Sequence, residues 1–296
     1  MTTGGHHQQQ RHGHGHGQGH VAYDPSSLHL SDAFYGGVYQ EIVDWLAIPS
    51  GAQALEAGSG AGGFTALLAG AVGSSGSVAA LDMTPDLLQT ARERLEQSEF
   101  KDRVSFHEGD IQHLPFEDDR FDLVWSSRTI HHLADQLVGA REVLRVIKPG
   151  GRFALREGGL RPRFLPSDIG IVEPGLEDRL EVAFDQWFQK FVREGDGAVR
   201  YPYGWPRLLT DAGFTNVSAK TFMLESLPPF SDTQAEFMLS MIKRWVDNEE
   251  RSAFINGDDS AAIKRLIDPH GPDYAFNRSD LHYMEGLTVY TGQAPS

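Results

Sequence analysis

Between Ala52 and Arg156 short apolar runs alternate with amphipathic stretches, and no other feature constrains the fold of this chain as tightly. The runs are Ala52–Ala57, Ser77–Asp82, Val104–Glu108, Phe121–Ser126 and Arg152–Arg156. Near-continuous apolar character is what a strand buried on both faces requires. Helical stretches separate them. One runs from the glycines after Ala57 to about Val72. A second opens at Thr84-Pro85, with Leu88, Ala91 and Leu95 inward; proline suits the first helical position because its missing N–H has no partner there anyway. A third carries Leu137, Ala140, Leu144 and Ile147 on one stripe and stops at Lys148-Pro-Gly-Gly151. Repeated strand–helix–strand units predict an α/β fold built on a doubly wound parallel sheet. A ligand then belongs beyond the carboxyl ends of the strands, beside strand one.

The flanks extend this frame. A helix is expected over 32–47, with Phe34, Val38, Ile42 and Trp45 on one face and Ser31 as N-cap. After Glu157 the rhythm breaks. Leu180, Phe184, Trp187, Phe188 and Phe191 recur at helical spacing. Trp205–Ala212 reads as a helix stopped by Gly213, Asn216–Phe222 as a strand, 231–268 as two helices and Leu287–Thr291 as a last strand. The expected organisation is a single domain over 23–296 with helical cap insertions at about 158–202 and 226–284. Most cap aromatics are expected to be core, because apolar periodicity marks burial.

Residues 1–22 open with MTTGGHHQQQRHGHGHGQGH, which holds six histidines and almost nothing apolar. Such a segment cannot offset its chain entropy by burial and is expected to be disordered. Its imidazoles can share an adventitious metal ion, but no metal site is expected to carry chemistry. The net charge of −15 argues against a nucleic-acid partner. Cysteine is absent, which removes thiol nucleophiles and disulfides and fits a reducing, cytoplasmic setting. No apolar run is long enough to span a bilayer. Composition leaves monomer and homodimer open.

The loop QALEAGSGAGGF (Gln53–Phe64) carries two overlapping fingerprints. Gly58, Gly60 and Gly63 form G-x-G-x-x-G; Glu56, Gly58, Gly60 and Gly62 form E-x-G-x-G-x-G. Glycine at a tight strand-to-helix turn serves any nucleotide cofactor. Charge separates the two readings. A dinucleotide presents a pyrophosphate to the helix N-terminus, where an anion is favoured. Glu56 opposes that anion and suits a ligand with an ammonium group, which S-adenosylmethionine has. Asp82, closing strand two, can accept from both hydroxyls of a ribose in either case and argues against a 2′-phosphate. Asp110 follows strand three, where a carboxylate can accept from an adenine amino group while Ile111 covers the ring.

The ordered set E-x-G-x-G-x-G, Asp82, Gly109-Asp110-Ile111, Leu114-Pro-Phe116, Phe121-Asp-Leu-Val124, His131-His132-Leu133, Glu142-Val-Leu-Arg145 and Lys148-Pro-Gly-Gly151 resembles the class I S-adenosylmethionine-dependent methyltransferases. Within them it is most similar to the quinone-biosynthesis-type, UbiE-like branch that acts on small molecules. The resemblance covers about residues 35–157. It implies a Rossmann-like seven-stranded sheet of order 3-2-1-4-5-7-6 with strand seven antiparallel. It also implies that Glu56 and the Gly58, Gly60 and Gly62 backbone hold the methionine end of the cofactor. Asp82 would bind ribose, Met83 would flank the adenine, Asp110 and Ile111 would fix it, and Ser127 would lie by the methionine moiety. Glu142, Arg145 and the KPGG turn are structural in this reading.

Methyl transfer from a sulfonium to an O, N or C nucleophile needs alignment first, and a base only where the nucleophile must lose a proton. His131 and His132, just after strand four, are the candidate bases. Tyr35, Arg128, Arg156, Tyr203 and Trp205 are candidate contacts for a small-molecule acceptor, with S-adenosylhomocysteine as co-product. Glu157 closes strand five at the same mouth, and Tyr23 precedes the sheet. Two other functions fit parts of the chain: a nicotinamide-dependent oxidoreductase using the G-x-G-x-x-G register, and a protein that binds S-adenosylmethionine without methyl transfer. Arsenite methylation is disfavoured, since no cysteine exists to hold arsenic.

Overall fold

The computed structural model describes residues 25–195 and 197–296; the tail over 1–22 and Tyr23 lie outside them. In chain order the elements are α1 (Pro25–Leu46), β1 (Gln53–Ala57), α2 (Gly63–Ala71), β2 (Ser77–Asp82), α3 (Pro85–Glu96), β3 (Val104–Glu108), β4 (Phe121–Ser127), α4 (Gln136–Val146) and β5 (Ile147–Arg163). They continue with α5 (Leu176–Phe188), α6 (Trp205–Ala212), β6 (Thr215–Ser226), α7 (Asp232–Asp247), α8 (Glu249–Ser252), α9 (Gly257–Ile267) and β7 (Tyr283–Gln293). All seven strands share one sheet of order β3-β2-β1-β4-β5-β7-β6. β7 is antiparallel to both of its neighbours, and the other pairs among β1–β5 are parallel. This is the expected sheet.

Each face of the sheet has its own core. On one side α4 and α6 bury Ala140, Val143, Leu208 and Leu209 against Phe153, Leu155 and Val124. On the other, α1 and α2 bury Tyr39, Ile42, Phe64 and Leu68 against Trp125, Ala154 and Val289. Trp125 is fully buried, and its ring stacks on Phe64 at 4.1 Å. Phe64 lies one residue into α2, so this stack sets the height of the helix that follows the glycine loop. Trp125→Ala is expected to cost about 3–5 kcal/mol in urea unfolding, because the void cannot close inside a packed sheet. Trp125→Phe should cost far less, since it keeps an aromatic ring and removes an indole N–H that has no partner among the described residues.

Several boundaries depart from the sequence expectation, each for a physical reason. α1 begins at Pro25, so Ser31 sits inside it and does not cap it. Its buried face is Tyr35, Val38, Tyr39, Ile42, Val43 and Leu46; Phe34 and Trp45 are only partly buried, at its edges. The α4 stripe is rotated: Gly139, Ala140, Val143 and Val146 are buried, whereas Leu137 and Leu144 are partly exposed and Ile147 already belongs to β5. Asp135 caps this helix, accepting from the Leu137 and Val138 N–H groups.

The largest difference is strand length. β5 runs on to Arg163, β6 to Ser226, and β7 starts at Tyr283. The register shifts between Arg156 and Gly159, a bulge in the β5–β7 pair. Gly159 has φ +107, and a Cβ there would lie 2.0 Å from the Gly286 carbonyl oxygen, so only glycine carries the strand through the bulge. Beyond it the three strands form an antiparallel ribbon. One face of the ribbon carries Phe164, Tyr283 and Leu224 into a third core with α5, α7 and α9, where Leu180, Met238, Ile242, Trp245 and Ile263 are packed. The cap is therefore rooted on extended sheet strands.

Candidate functional site

The glycine loop is pinned to the end of β2. The N–H groups of Gly58 and Ser59 both donate to the Leu81 carbonyl, at 2.8 and 2.9 Å. Gly58, Gly60 and Gly62 have φ of 86°, 52° and 78°, in the left-handed region that side chains disfavour. A Cβ on Gly58 would lie 2.2 Å from the Thr129 hydroxyl oxygen, so this position also needs the space. Gly63 starts α2 and is bare for a different reason: the Asp32 carboxyl of α1 occupies the place of a Cβ, 2.1 Å from where one would sit.

Three carboxylates surround this loop. Asp82 accepts from the Gly60 N–H at 2.8 Å and from the Thr84 N–H at 2.9 Å, one bond on each oxygen. A carboxylate has about four acceptor positions, so two remain for ligand hydroxyls. Glu56 is 3% exposed and accepts from the Thr65 hydroxyl. Burial pushes its carboxyl up to about 8, and the charges of Asp32 and Asp82 add to the effect. Asp32 is paired with Arg94. A buried carboxyl with two further acids nearby, whose protonation is favoured by burial despite the Arg94 charge, fits a cationic group such as the ammonium of S-adenosylmethionine and opposes a pyrophosphate. Met83 is half exposed beside Asp82. Asp110 accepts from the Gln112 N–H at 2.8 Å, closing the turn after β3, and Ile111 is buried in the α4-side core.

Glu142 and Arg145 have the structural role expected of them. They pair with each other, the Glu142 carboxylate accepts from the Leu114 N–H, and Arg145 donates to the Leu114 and Phe116 carbonyls. The Leu114-Pro-Phe116 segment is thereby tied to α4.

Past β4 the wall changes character. Arg156 is 4% exposed and donates to the Ser127 hydroxyl at 3.2 Å. Its guanidinium lies 5.3 Å from the Tyr35 ring centre and 5.7 Å from that of Tyr39. Tyr35 and Tyr283 both donate to the same oxygen of Glu285, each at 2.7 Å, and Arg156 lies 4.0 Å from the other oxygen. Burial and the Glu285 charge hold both tyrosine hydroxyls above their ordinary range, so they remain donors. Tyr35 and Arg156 thus form part of a buried floor whose polar atoms are largely committed to one another. Glu285 and Tyr283 were not singled out from sequence; the only local signal was a glutamate on the alternating face of the last strand.

The His-His pair divides into two environments. The His131 Nδ1 lies 2.6 Å from a Glu157 oxygen, and its backbone N–H donates to the other oxygen at 3.3 Å. Glu157 is itself buried. His132 stacks on His131 at 4.1 Å, and its imidazole is held down at about 3, by burial first and then by the charges of His131, Arg128 and Arg193. His132 is therefore neutral at physiological pH, while the Glu157 carboxylate fixes the His131 ring. Phe188 of α5 covers the pair, its ring centre 5.4 Å from that of His131. Arg128 is exposed, with φ 54°, and its N–H donates to the Arg156 carbonyl. Tyr203 is exposed two residues before α6, while Trp205 packs on the α4-side core. Among the described residues no group of three or more metal-ligating side chains is assembled.

A methyltransferase-domain family model matches residues 48–177. The methyltransferase GfsG of Streptomyces halstedii is 33% identical over 140 residues, which cover 47% of this chain and only half of that enzyme. The 2-phytyl-1,4-naphtoquinone methyltransferase of Thermosynechococcus vestitus is 30% identical over 186 residues, covering 63% of this chain and 77% of that protein. Among solved structures, the phosphoethanolamine N-methyltransferase 2 of Haemonchus contortus, in complex with S-adenosyl-L-methionine, superposes with a TM-score of 0.55 at 16% identity, over 94% of this chain and 59% of that one. The YcgJ protein of Bacillus subtilis gives 0.51 at 16% identity, over 87% of this chain and 98% of that one. These two share the fold. With the sheet order, the loop and the family match in agreement, the chain belongs to the class I S-adenosylmethionine-dependent methyltransferases.

Proposed function

We propose that this enzyme methylates a hydroxyl or similarly acidic nucleophile of a small, partly apolar acceptor, with His131 as general base and Glu157 holding its ring. The observation that carries this reading is the 2.6 Å contact between the His131 Nδ1 and a buried Glu157 oxygen. A carboxylate on Nδ1 fixes the tautomer that leaves Nε2 free to take a proton, and it stabilises the imidazolium that results. Bound S-adenosylmethionine supplies the activated methyl group and the leaving sulfide. Glu56 holds the ammonium, Asp82 the ribose and Asp110 the adenine edge, while Met83 and Ile111 flank the ring and Ser127 lies by the methionine moiety. The α1 helix and the α5 aromatics cover the strand ends and keep water from the transfer.

The relatives named for naphthoquinone and for demethylmenaquinone support an acceptor with an apolar body. The absence of cysteine fits a reducing cytoplasm. Among the described residues no helix is long and apolar enough to cross a membrane.

Calorimetry with S-adenosylhomocysteine tests the cofactor half of the proposal. Wild type should bind. Asp82→Ala should weaken binding by about 10–100-fold, the loss expected for hydrogen bonds to a charged acceptor plus a loosened Gly60. Absence of binding by wild type would overturn the reading. A labelled-methyl assay over candidate acceptors tests the other half: cofactor binding with no transfer would leave a binding protein.

A further inference from the structure

The methionine end of S-adenosylmethionine carries an ammonium and a carboxylate on one carbon. The acids around the glycine loop suit the first and repel the second. A donor for the carboxylate is therefore required on the same face of the sheet as Glu56. β1 and β4 pair with Glu56 opposite Trp125. Residues two apart on a strand share a face, so Ser127 stands on the Glu56 face, one strand across and two residues nearer the carboxyl ends. Two contacts hold this part of β4 against the glycine loop. The Ser126 hydroxyl donates to the Ala57 carbonyl at 2.8 Å. The Thr129 hydroxyl donates to the Ser127 carbonyl at 3.0 Å and fills the space beside Gly58. Ser126 is fully buried, whereas Ser127 is half-buried.

The hydrogen bonding of Ser127 is one-sided. Arg156, its neighbour in the β4–β5 register, donates from Nη1 to the Ser127 Oγ at 3.2 Å. The oxygen is thus an acceptor, and its own O–H has no acceptor among the described residues. A hydroxyl that accepts from a cation is a stronger donor in turn, and an anionic oxygen is its best partner. Arg156 itself is held back from the opening. The same Nη1 lies 3.5 Å from the Tyr39 hydroxyl, the guanidinium lies against the rings of Tyr35 and Tyr39, and Nη2 is 4.0 Å from Glu285. Its charge therefore acts through the Ser127 hydroxyl.

We propose that the Ser127 hydroxyl donates to the carboxylate of the cofactor's methionine end, and that Arg156 is a positioning residue that aims and polarises this hydroxyl. This deepens the S-adenosylmethionine-dependent reading and rests on it. It assigns Arg156 to the cofactor and not to the acceptor.

The test is calorimetry on the full chain with S-adenosylhomocysteine and with its decarboxylated analogue, which keeps the adenosine, the thioether and the ammonium. Wild type is expected to bind S-adenosylhomocysteine about tenfold or more tighter, the order of one charge-assisted hydrogen bond. Ser127→Ala should erase most of that preference and leave the analogue's affinity unchanged. Arg156→Gln should do the same from behind the hydroxyl. The double variant should lose no more than the larger single loss, because both residues act on one bond. Arg156 is buried, so Ser127→Ala, at a half-buried site that alanine fits, carries the test by itself if Arg156→Gln does not fold. The proposal is overturned if wild type binds the two ligands equally, if Ser127→Ala keeps the preference, if Arg156→Gln weakens both ligands alike as a merely structural residue would, or if the two losses add. Failure of wild type to bind either ligand would instead sink the S-adenosylmethionine-dependent reading.

Discussion

Glu157→Gln is expected to lower kcat by about 10²–10⁴-fold, the range of a lost general base, with S-adenosylhomocysteine affinity unchanged. Glutamine fills the same space but carries no charge. It can also turn its amide N–H₂ toward the His131 Nδ1, which selects the wrong tautomer and ties up the proton-accepting nitrogen. Glu157 acts here as a positioning residue, so a second readout is required. His131→Asn should match the loss, and the double variant should be no slower than either single one, since the two residues work as a unit. The measurement is methyl transfer to the acceptor found by the labelled-methyl assay. An unaltered rate in Glu157→Gln would remove His131 from the mechanism.

Cofactor binding near pH 7 should release close to one proton. In the free protein burial pushes the Glu56 carboxyl up to about 8, so it is largely protonated at neutral pH. An ammonium placed against it favours the carboxylate, and the proton must leave. The release should fade as pH rises through about 8, where the free protein has already lost that proton. The same shift has a consequence for stability. A carboxyl raised above its ordinary value of 4.5 costs nothing below that pH, and costs progressively more as pH rises toward about 8. The ligand-free enzyme should therefore lose stability over that window, and S-adenosylhomocysteine should restore it. Calorimetry in phosphate and in Tris, whose ionisation enthalpies differ, counts the protons. Glu56→Gln should abolish the release and weaken binding by about 10–100-fold, as expected for a lost charge-assisted bond. Binding by wild type without proton exchange would show that Glu56 does not receive the ammonium.

Much of the sheet was legible before the structure. β2, β3 and α6 have the expected limits, because continuous apolar runs, the proline at the start of α3 and Gly213 after α6 are all local signals. The strand ends beyond Arg156, Phe222 and Leu287 were not. Gly158-Gly159 reads as a break in the sequence, and only pairing with β7 turns it into a bulge within one long strand. The α4 stripe was displaced because Gly139 has no side chain to count, yet its bare face packs on Leu133.

The site divides along the same line. The Glu56–Gly62 loop, Asp82 and Asp110 were readable because a turn, its charge and the strand end it follows lie within a few residues of one another. The two histidines are adjacent in sequence and could not be ranked from it. What separates them is a partner 26 residues from His131, set beside it by the parallel pairing of β4 and β5. Tyr35 meets Glu285 across 250 residues. The sequence by itself determined the cofactor, since one strand–loop–helix unit carries both the backbone shape and the charge that select it. Only the tertiary structure decided how the wall past β4 is built, because the hydrogen bonds there join segments whose proximity arises only when the cap packs on the extended strands.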